Sequence, residues 1–260
     1  VDAGLVDIRR GIEHNRAPDE TIVTLYGINK WANENDISLV LHLHFNDDPT
    51  RAKGKPGVYT GFALYIPEKQ YSNAKASRAL AEKILSRLGE RFAPSTMPLE
   101  RTGIVESQEL IAVGARNTLD AAGVLIEYGY LYEPAFFERA LRELALKEAA
   151  YRTYLGVLDF FGKKGVALES PLFPYRFARD IGHGTRKSAD VFRLQATLSE
   201  QGFYPPPGET REECPLAGNF LSCTERSVRA FQTASGITPA SGFLGPQTRE
   251  ALNRLLGPSP

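Results

Sequence analysis

Charge imbalance is missing from this chain. Lys plus Arg and Asp plus Glu each number 31 among 260 residues, so the formal net charge at pH 7 is zero. A neutral chain has no overall electrostatic pull toward nucleic acid or an anionic membrane surface. Long apolar runs are missing as well: none approaches the roughly 20 residues that cross a bilayer. Cysteine is scarce. Two thiols, Cys214 and Cys223, fall short of the four ligands of a structural zinc site. They bracket the turn-rich stretch CPLAGNFLSC, which leaves open a small disulfide loop or a reduced pair. An initiating methionine is absent too. The chain opens on Val1 without a charged segment and an apolar segment ahead of the domain, so we expect a removed leader or a start inside a longer protein.

Apolar substance is present. At 42% hydrophobic, the chain can build a packed core and is not globally disordered. Its length allows one large domain, or a medium domain with a small one. From Val1 to about Gly162, helical and strand patterns alternate, which implies an α/β layered domain. ETIVTLYGINKWANEND predicts a helix, with Ile22, Leu25, Ile28 or Asn29, and Ala32 at helical spacing. ISLVLHLHFN and GVYTGFALYIP predict strands, the second stopped by Pro67. SNAKASRALAEKILSRLGERF predicts an amphipathic helix capped by Ser72 or Asn73, with Ala76, Leu80, Ile84 or Lys83, and Leu88 facing inward. AAGVLIEYGYL fits a strand buried on both faces. EPAFFERALRELALKEAAYRTYLGVLDFF predicts one long helix, with Phe137, Leu141, Leu144, Tyr151, Leu155 and Leu158 as its apolar stripe.

Residues 163–187 have no clean period and predict a linker or a wrapping segment. Beyond them lie two weakly similar helix-then-glycine units and a third helix. Val191, Leu194 and Leu198 mark the first, Val228 and Phe231 the second, Leu252 and Leu255 or Leu256 the third. Each of the first two carries a glutamine directly after a core residue, Gln195 after Leu194 and Gln232 after Phe231. We expect a small all-α domain over 188–260, near the lower limit for independent folding.

Two stretches carry candidate chemistry. In LVLHLHFND, residues 39–47, strand alternation puts Leu39, Leu41, Leu43 and Phe45 on one face. His42, His44 and Asn46 share the other. Sites in open α/β sheets gather at the C-terminal ends of strands. A histidine on an apolar strand can be a hydrogen-bonded core residue or a metal ligand, and both readings stand here. In GVLIEYGYLYEP, Glu127 ends the apolar run Val124, Leu125, Ile126. A carboxylate there is costly unless it is paired, hydrogen-bonded or near a metal. It is a candidate general acid or base, or a carboxylate satisfied by backbone N–H groups. Tyr128, Tyr130 and Tyr132 can line a groove or pack in the core. Trp31 reads as a partly buried helix residue and His183 as a linker residue. Asn46 and Asn117 are polar site-wall candidates.

Val191, Leu194-Gln195, Leu198, Gly202-Phe203-Tyr204, Val228, Phe231-Gln232, Gly236, Gly242, Leu244-Gly245, Thr248 and Leu252 together resemble the peptidoglycan-binding domain of many cell-wall hydrolases. The resemblance covers about 188–257 and departs at PPPGETREECPLAGNFLSC, a longer connection than usual. The two chemistry-bearing stretches resemble zinc-dependent N-acetylmuramoyl-L-alanine amidases over about 12–162. That family has Ser-Ile-His-Ala-Asn where this chain has His42-Leu43-His44-Phe45-Asn46, so the resemblance makes His44 a zinc ligand and puts His42 in place of serine. The family's Val-Leu-Val-Glu-x-Gly-Phe matches Val124-Leu125-Ile126-Glu127-Tyr128-Gly129-Tyr130 and makes Glu127 catalytic. The family's first ligand follows Asp-x-Gly; here Asp2 and Gly4 precede Leu5, not histidine. We therefore expect the start of the domain to be missing, with Glu13-His14 as an alternative ligand source. The resemblance implies Zn2+ as cofactor, peptidoglycan as partner and an extracellular or periplasmic location. The rival readings are a non-catalytic wall-binding protein with a metal-free amidase-like domain, and a different zinc peptidase acting on stem peptides.

Overall fold

The computed structural model describes residues 19–48, 50–107, 110, 118–163 and 170–257, with residues 19–26 by main chain alone. Leu5, Glu13, His14 and Asn117 lie outside the described residues, as do the side chains of Ile22 and Leu25. The chain runs through α1 (Asp19–Glu34), β1 (Leu39–Asn46), β2 (Ala63–Ile66), α2 (Ala74–Gly89), β3 (Ile104–Glu106) and β4 (Ala122–Tyr130). A short α3 (Pro134–Phe137) and the long α4 (Arg139–Phe160) follow, then α5 (Ala189–Glu200), α6 (Ser222–Ala234) and α7 (Pro246–Leu255). An α/β unit is thus followed by a small all-α unit.

The sheet order is β1-β4-β2-β3. β4 runs parallel to β1 and antiparallel to β2, and β2 runs parallel to β3. β4 is interior, which is why its sequence is apolar on both faces: every residue but Glu127 is buried. One face of the sheet receives α2 and α4. Leu64 and Ile66 of β2 and Val124 and Ile126 of β4 meet Leu80, Ile84, Leu88, Leu141 and Ala145 there. Gly156 lets the two helices close up. A Cβ at that position would stand 2.7 Å from the Ile84 Cα.

Several local expectations change. Asn73, one of the two predicted residues, stands at the N-cap of α2, but its side chain makes no capping hydrogen bond. Asn73 instead turns its amide Nδ2 to the carbonyls of Thr118 (2.5 Å) and Ala121 (3.0 Å), tying the approach to β4. Ala76 is exposed, and Ala74, Ser77 and Ala81 complete the buried face with Leu80, Ile84 and Leu88. The predicted long helix is broken at Glu138, whose backbone is extended. Arg142 reaches back and donates to the carbonyls of Phe136 (2.8 Å) and Phe137 (2.9 Å), so the first turn ends on a side chain rather than continuing. Phe137 consequently points outward, 63% exposed. Of the predicted stripe Leu141 is buried, and the rest of the buried face of α4 is made of small and charged residues, including Glu148, Ala149, Arg152 and Gly156. Trp31 is more exposed than expected, at 57%.

The all-α unit repeats one device. Gln195 donates from Nε2 to Asn219 O (3.1 Å) and Thr224 Oγ1 (2.9 Å), and its Oε1 accepts from Gly218 N (3.1 Å). Gln232 donates to Phe243 O and Thr248 Oγ1, both at 2.8 Å, and accepts from Gly242 N at 2.7 Å. Each buried amide therefore fixes a glycine turn and the first residues of the next helix. Residues 170–187 wrap this unit. Ile181 bridges to Leu244, and Asn253 exchanges hydrogen bonds with the Phe177 backbone at 2.8 and 3.0 Å. Cys214 and Cys223 form a disulfide.

The two units are docked. Buried apolar side chains run in one connected cluster from β2 and β4 into α5, α6 and α7. Beside it lies a knot of charges. Glu148, fully buried, meets Arg91 at 3.0 Å and Arg152 at 2.7 Å. Arg91 also pairs with Glu200 of α5, and Arg152 with Glu90.

Candidate active site

The register decides what faces what. His44 lies opposite Glu127, and His42 opposite Leu125, across the parallel β1–β4 ladder. On the other side of β4, Ala63 lies opposite Glu127 and Tyr65 opposite Leu125. Directly paired residues share a face. His42, His44, Glu127 and Tyr65 therefore stand together on the face away from α2 and α4. The alternation read from the sequence is the cause, since Leu39, Leu41 and Phe45 all pack toward the helix-covered core.

The ladder then slips. Asn46 lies opposite Tyr130, so β4 carries one residue more than β1 between the pairs. Gly129 sits in that bulge at φ 150°, and a Cβ there would come within 2.7 Å of the Phe136 ring. Without the extra residue, Tyr130 would fall on the face of Tyr128. With it, Tyr130 aims its hydroxyl at Glu100 (3.3 Å), while the Tyr128 hydroxyl meets Thr153 (2.9 Å) in the helix layer. The tyrosines thus divide: Tyr128 packs in the core, Tyr130 borders the site, and the Tyr132 hydroxyl donates to Tyr59 O at 2.7 Å.

Glu100 was not singled out by the sequence. It is buried, at 1% exposure, and is a hub. The Tyr65 hydroxyl and the Asn46 amide (3.2 Å) donate to its Oε1, and the Tyr130 hydroxyl to its Oε2. Glu127 is its opposite. Its Oε2 is buried without a hydrogen-bond partner among the described residues. Burial first, and then the nearby charge of Glu100, push its pKa up to about 7. Burial also lowers the pKa of both histidines, with His44 adding to the effect on His42. His42 is buried and its Nε2 lacks a partner, whereas His44 is exposed. Neutral imidazoles beside a carboxyl that titrates near neutrality can exchange protons with a bound reactant.

A zinc site needs three protein ligands and an open position. The described residues do not complete one. His44 offers one imidazole of the right form. Among the described residues, the one trio of His, Cys, Asp or Glu donors close enough to share an ion is Glu209, Cys214 and Cys223. Both of its sulfurs are consumed in the disulfide.

Residues 187–252 match a family of known domains. Its description is "Putative peptidoglycan binding domain". The match spans α5 to α7 with the glutamine-fixed turns. No curated protein matches the chain. Among solved structures, the chain is similar to the N-acetylmuramyl-L-alanine amidase of Mycobacterium smegmatis, at 16% identity and a TM-score of 0.42. That alignment covers 53% of this chain and 60% of that one, so the chain spans well under two thirds of that amidase. It is also similar to the CwlD amidase of Clostridioides difficile, solved with the GerS lipoprotein, at 15% identity and a TM-score of 0.39 over 58% and 68% of the two chains. An N-acetylmuramoyl-L-alanine amidase from Clostridium difficile 630 gives 19% and 0.38 over 54% and 67%.

The remaining predicted residues lie elsewhere. His183 Nδ1 is 2.9 Å from Glu225 in the all-α unit, remote in the fold from the β1–β4 pair. Asn46 borders the site through Glu100. No helix among the described residues is long and apolar enough to cross a membrane.

Proposed function

We propose that the chain is a cell-wall hydrolase that cuts the amide bond between N-acetylmuramic acid and L-alanine of the stem peptide. Its catalytic domain occupies 1–162 and its wall-binding domain 188–260, with 163–187 between them. It works outside the cytoplasm, in the periplasm or beyond. The observation that carries the reading is Glu127. It is a half-buried carboxyl with an unpartnered oxygen and a pKa near 7, facing His44 across the ladder. Such a group suits general base and then general acid work at neutral pH. Glu127 takes a proton from the attacking water and returns one to the departing amine of L-alanine. The match over 187–252 supports the choice of polymer. Zinc enters through the resemblance alone, with His44 as the donor this chain offers, and no step is built on it here.

The test is release of peptides with a free L-alanine amino terminus from purified peptidoglycan, identified by mass. Glu127→Gln is expected to lower the rate by about 10²–10⁴-fold with the fold intact. His44→Ala is expected to lower bound zinc. Products cut inside the stem would point to a peptidase. The second reading is a wall-binding protein without catalysis; among the described residues the donor set at His44 is not complete. It wins if the chain sediments with peptidoglycan yet holds no zinc and releases no peptide.

A further inference from the structure

Glu100 has no part in the proposed chemistry, yet it is buried at 1% exposure beside the residues that do. It stands in the loop between α2 and β3, where two turns hold its backbone. Its N–H donates to Met97 O (2.9 Å), and its carbonyl accepts from Gly103 N (2.8 Å). Its carboxylate gathers one donor from each of three strands: Asn46 of β1, Tyr65 of β2 and Tyr130 of β4. Hydrogen bonds to a carboxylate are the strong ones, so these donors are held in place.

A phenol has one proton to give and two lone pairs to receive with. What each donor has left over differs. Asn46 has spent its carbonyl, since Oδ1 accepts from Asp47 N at 2.9 Å. Tyr130 is sealed in at 1% exposure, and its hydroxyl also meets Met97 Sδ at 3.8 Å and the Ser95 hydroxyl. Tyr65 is only partly buried, and among the described residues no donor reaches its oxygen. It lies opposite Leu125, on the face that carries Glu127, and the charge of Glu127 acts on it. Burial first, and then the hydrogen bond to Glu100, push its pKa up, so it remains a phenol at neutral pH. With that proton committed to Glu100, what Tyr65 has left for a reactant is a lone pair. Donating to a carboxylate also polarises the phenol and makes its oxygen the better acceptor.

We infer that Glu100 is a positioning residue: it holds the Tyr65 hydroxyl proton and so fixes the Tyr65 oxygen as a hydrogen-bond acceptor for an N–H of the reactant beside Glu127. The inference rests on the proposed function for the identity of that N–H, which belongs to the amide being cut. As Glu127 returns a proton to the departing nitrogen, that nitrogen gains positive charge, and an acceptor already in place favours the change. Tyrosine labelled with 13C at the ζ carbon reads the anchoring without any hydrolysis, the Tyr65 signal of the full chain being the one lost in Tyr65→Phe. It is expected to move at neutral pH in Glu100→Gln, where a carboxamide replaces the carboxylate that receives the proton. On soluble peptidoglycan fragments, Glu100→Gln and Tyr65→Phe are each expected to lower kcat about tenfold or more with KM held within about twofold. The double variant is expected to be no slower than the slower single. A merely structural Glu100 would lower the unfolding midpoint and leave kcat per folded molecule unchanged. Should Glu100→Gln not fold, Glu100→Asp, which draws the carboxylate back from the phenol, takes its place. A Tyr65 signal that does not move overturns the inference, as do losses that multiply in the double variant or fall on KM. A wild type that releases no peptide while the signal moves sinks the proposed function and upholds the anchoring of Tyr65. An active wild type whose kcat is untouched by either variant sinks this inference alone.

Discussion

Glu127 and Glu148 are both glutamates pushed into the interior of one protein, and they are handled in opposite ways. Glu148 is fully buried and lies between two guanidinium groups, Arg91 and Arg152. Glu127 is less buried and, among the described residues, no cation acts on it; the charge that does is Glu100, of like sign. The first arrangement compensates a charge and ties two units together. The second leaves a charge uncompensated and makes its protonation responsive near neutral pH. Burial of a carboxylate by itself therefore says little about role, and what surrounds it says nearly everything.

The comparison can be broken by removing each side chain in turn. Glu148→Ala takes from Arg91 and Arg152 the buried carboxylate they share, leaving them Glu200 and Glu90, and is expected to cost about 3 kcal/mol in urea unfolding, whereas Glu127→Gln is expected to be neutral or mildly stabilising at pH 8. Equal losses would erase the distinction. A smaller effect tests whether full satisfaction of buried polar groups marks structure. Gln195→Ala and Gln232→Ala each leave a glycine N–H and a threonine hydroxyl without their partner, and each should cost about 1–3 kcal/mol by thermal or urea melts. Unequal losses would show that the two helix-then-glycine units are not energetic equivalents.

The smallest effect concerns pH. The folded pKa of Glu127, about 7, lies above its ordinary value of 4.5. The folded state therefore holds the proton more tightly, and the stabilising contribution is complete below pH 4.5 and lost as pH rises through 7. Wild type minus Glu127→Gln, unfolded in chelator, should lose roughly 1–2 kcal/mol of relative stability between pH 4 and 8, after allowance for partial exposure. A difference that does not move with pH would place Glu127 in a solvated setting.

Much of this was readable in the sequence where period is strong. Alternation in LVLHLHFN sends Leu39, Leu41 and Phe45 to the core and both histidines to the other face, as the β1–β4 register has it, whereas Leu43, expected with them, is 60% exposed on the outer strand. The continuous run in β4 matches its interior place in the sheet. What escaped was non-local. Glu100 lies in an aperiodic loop, and its burial depends on Asn46, Tyr65 and Tyr130 arriving from three different strands. The break at Glu138 depends on Arg142 capturing two carbonyls, in a stretch without glycine and with its proline only at the first turn. The charges of the junction sit at ordinary helical spacings, so nothing in α4 alone marks Glu148 and Arg152 as buried.

The docking of the two units has a consequence for reach. A module on a slack linker samples a sphere of positions and lets its partner graze over a polymer. Here the contact between Arg91 and Glu200, and the backbone of Gly89 held by Arg211, join the units through folded structure. On the proposed function, a polymer gripped by the all-α unit would meet Glu127 at an offset set by this docking, and the molecule would act as a ruler.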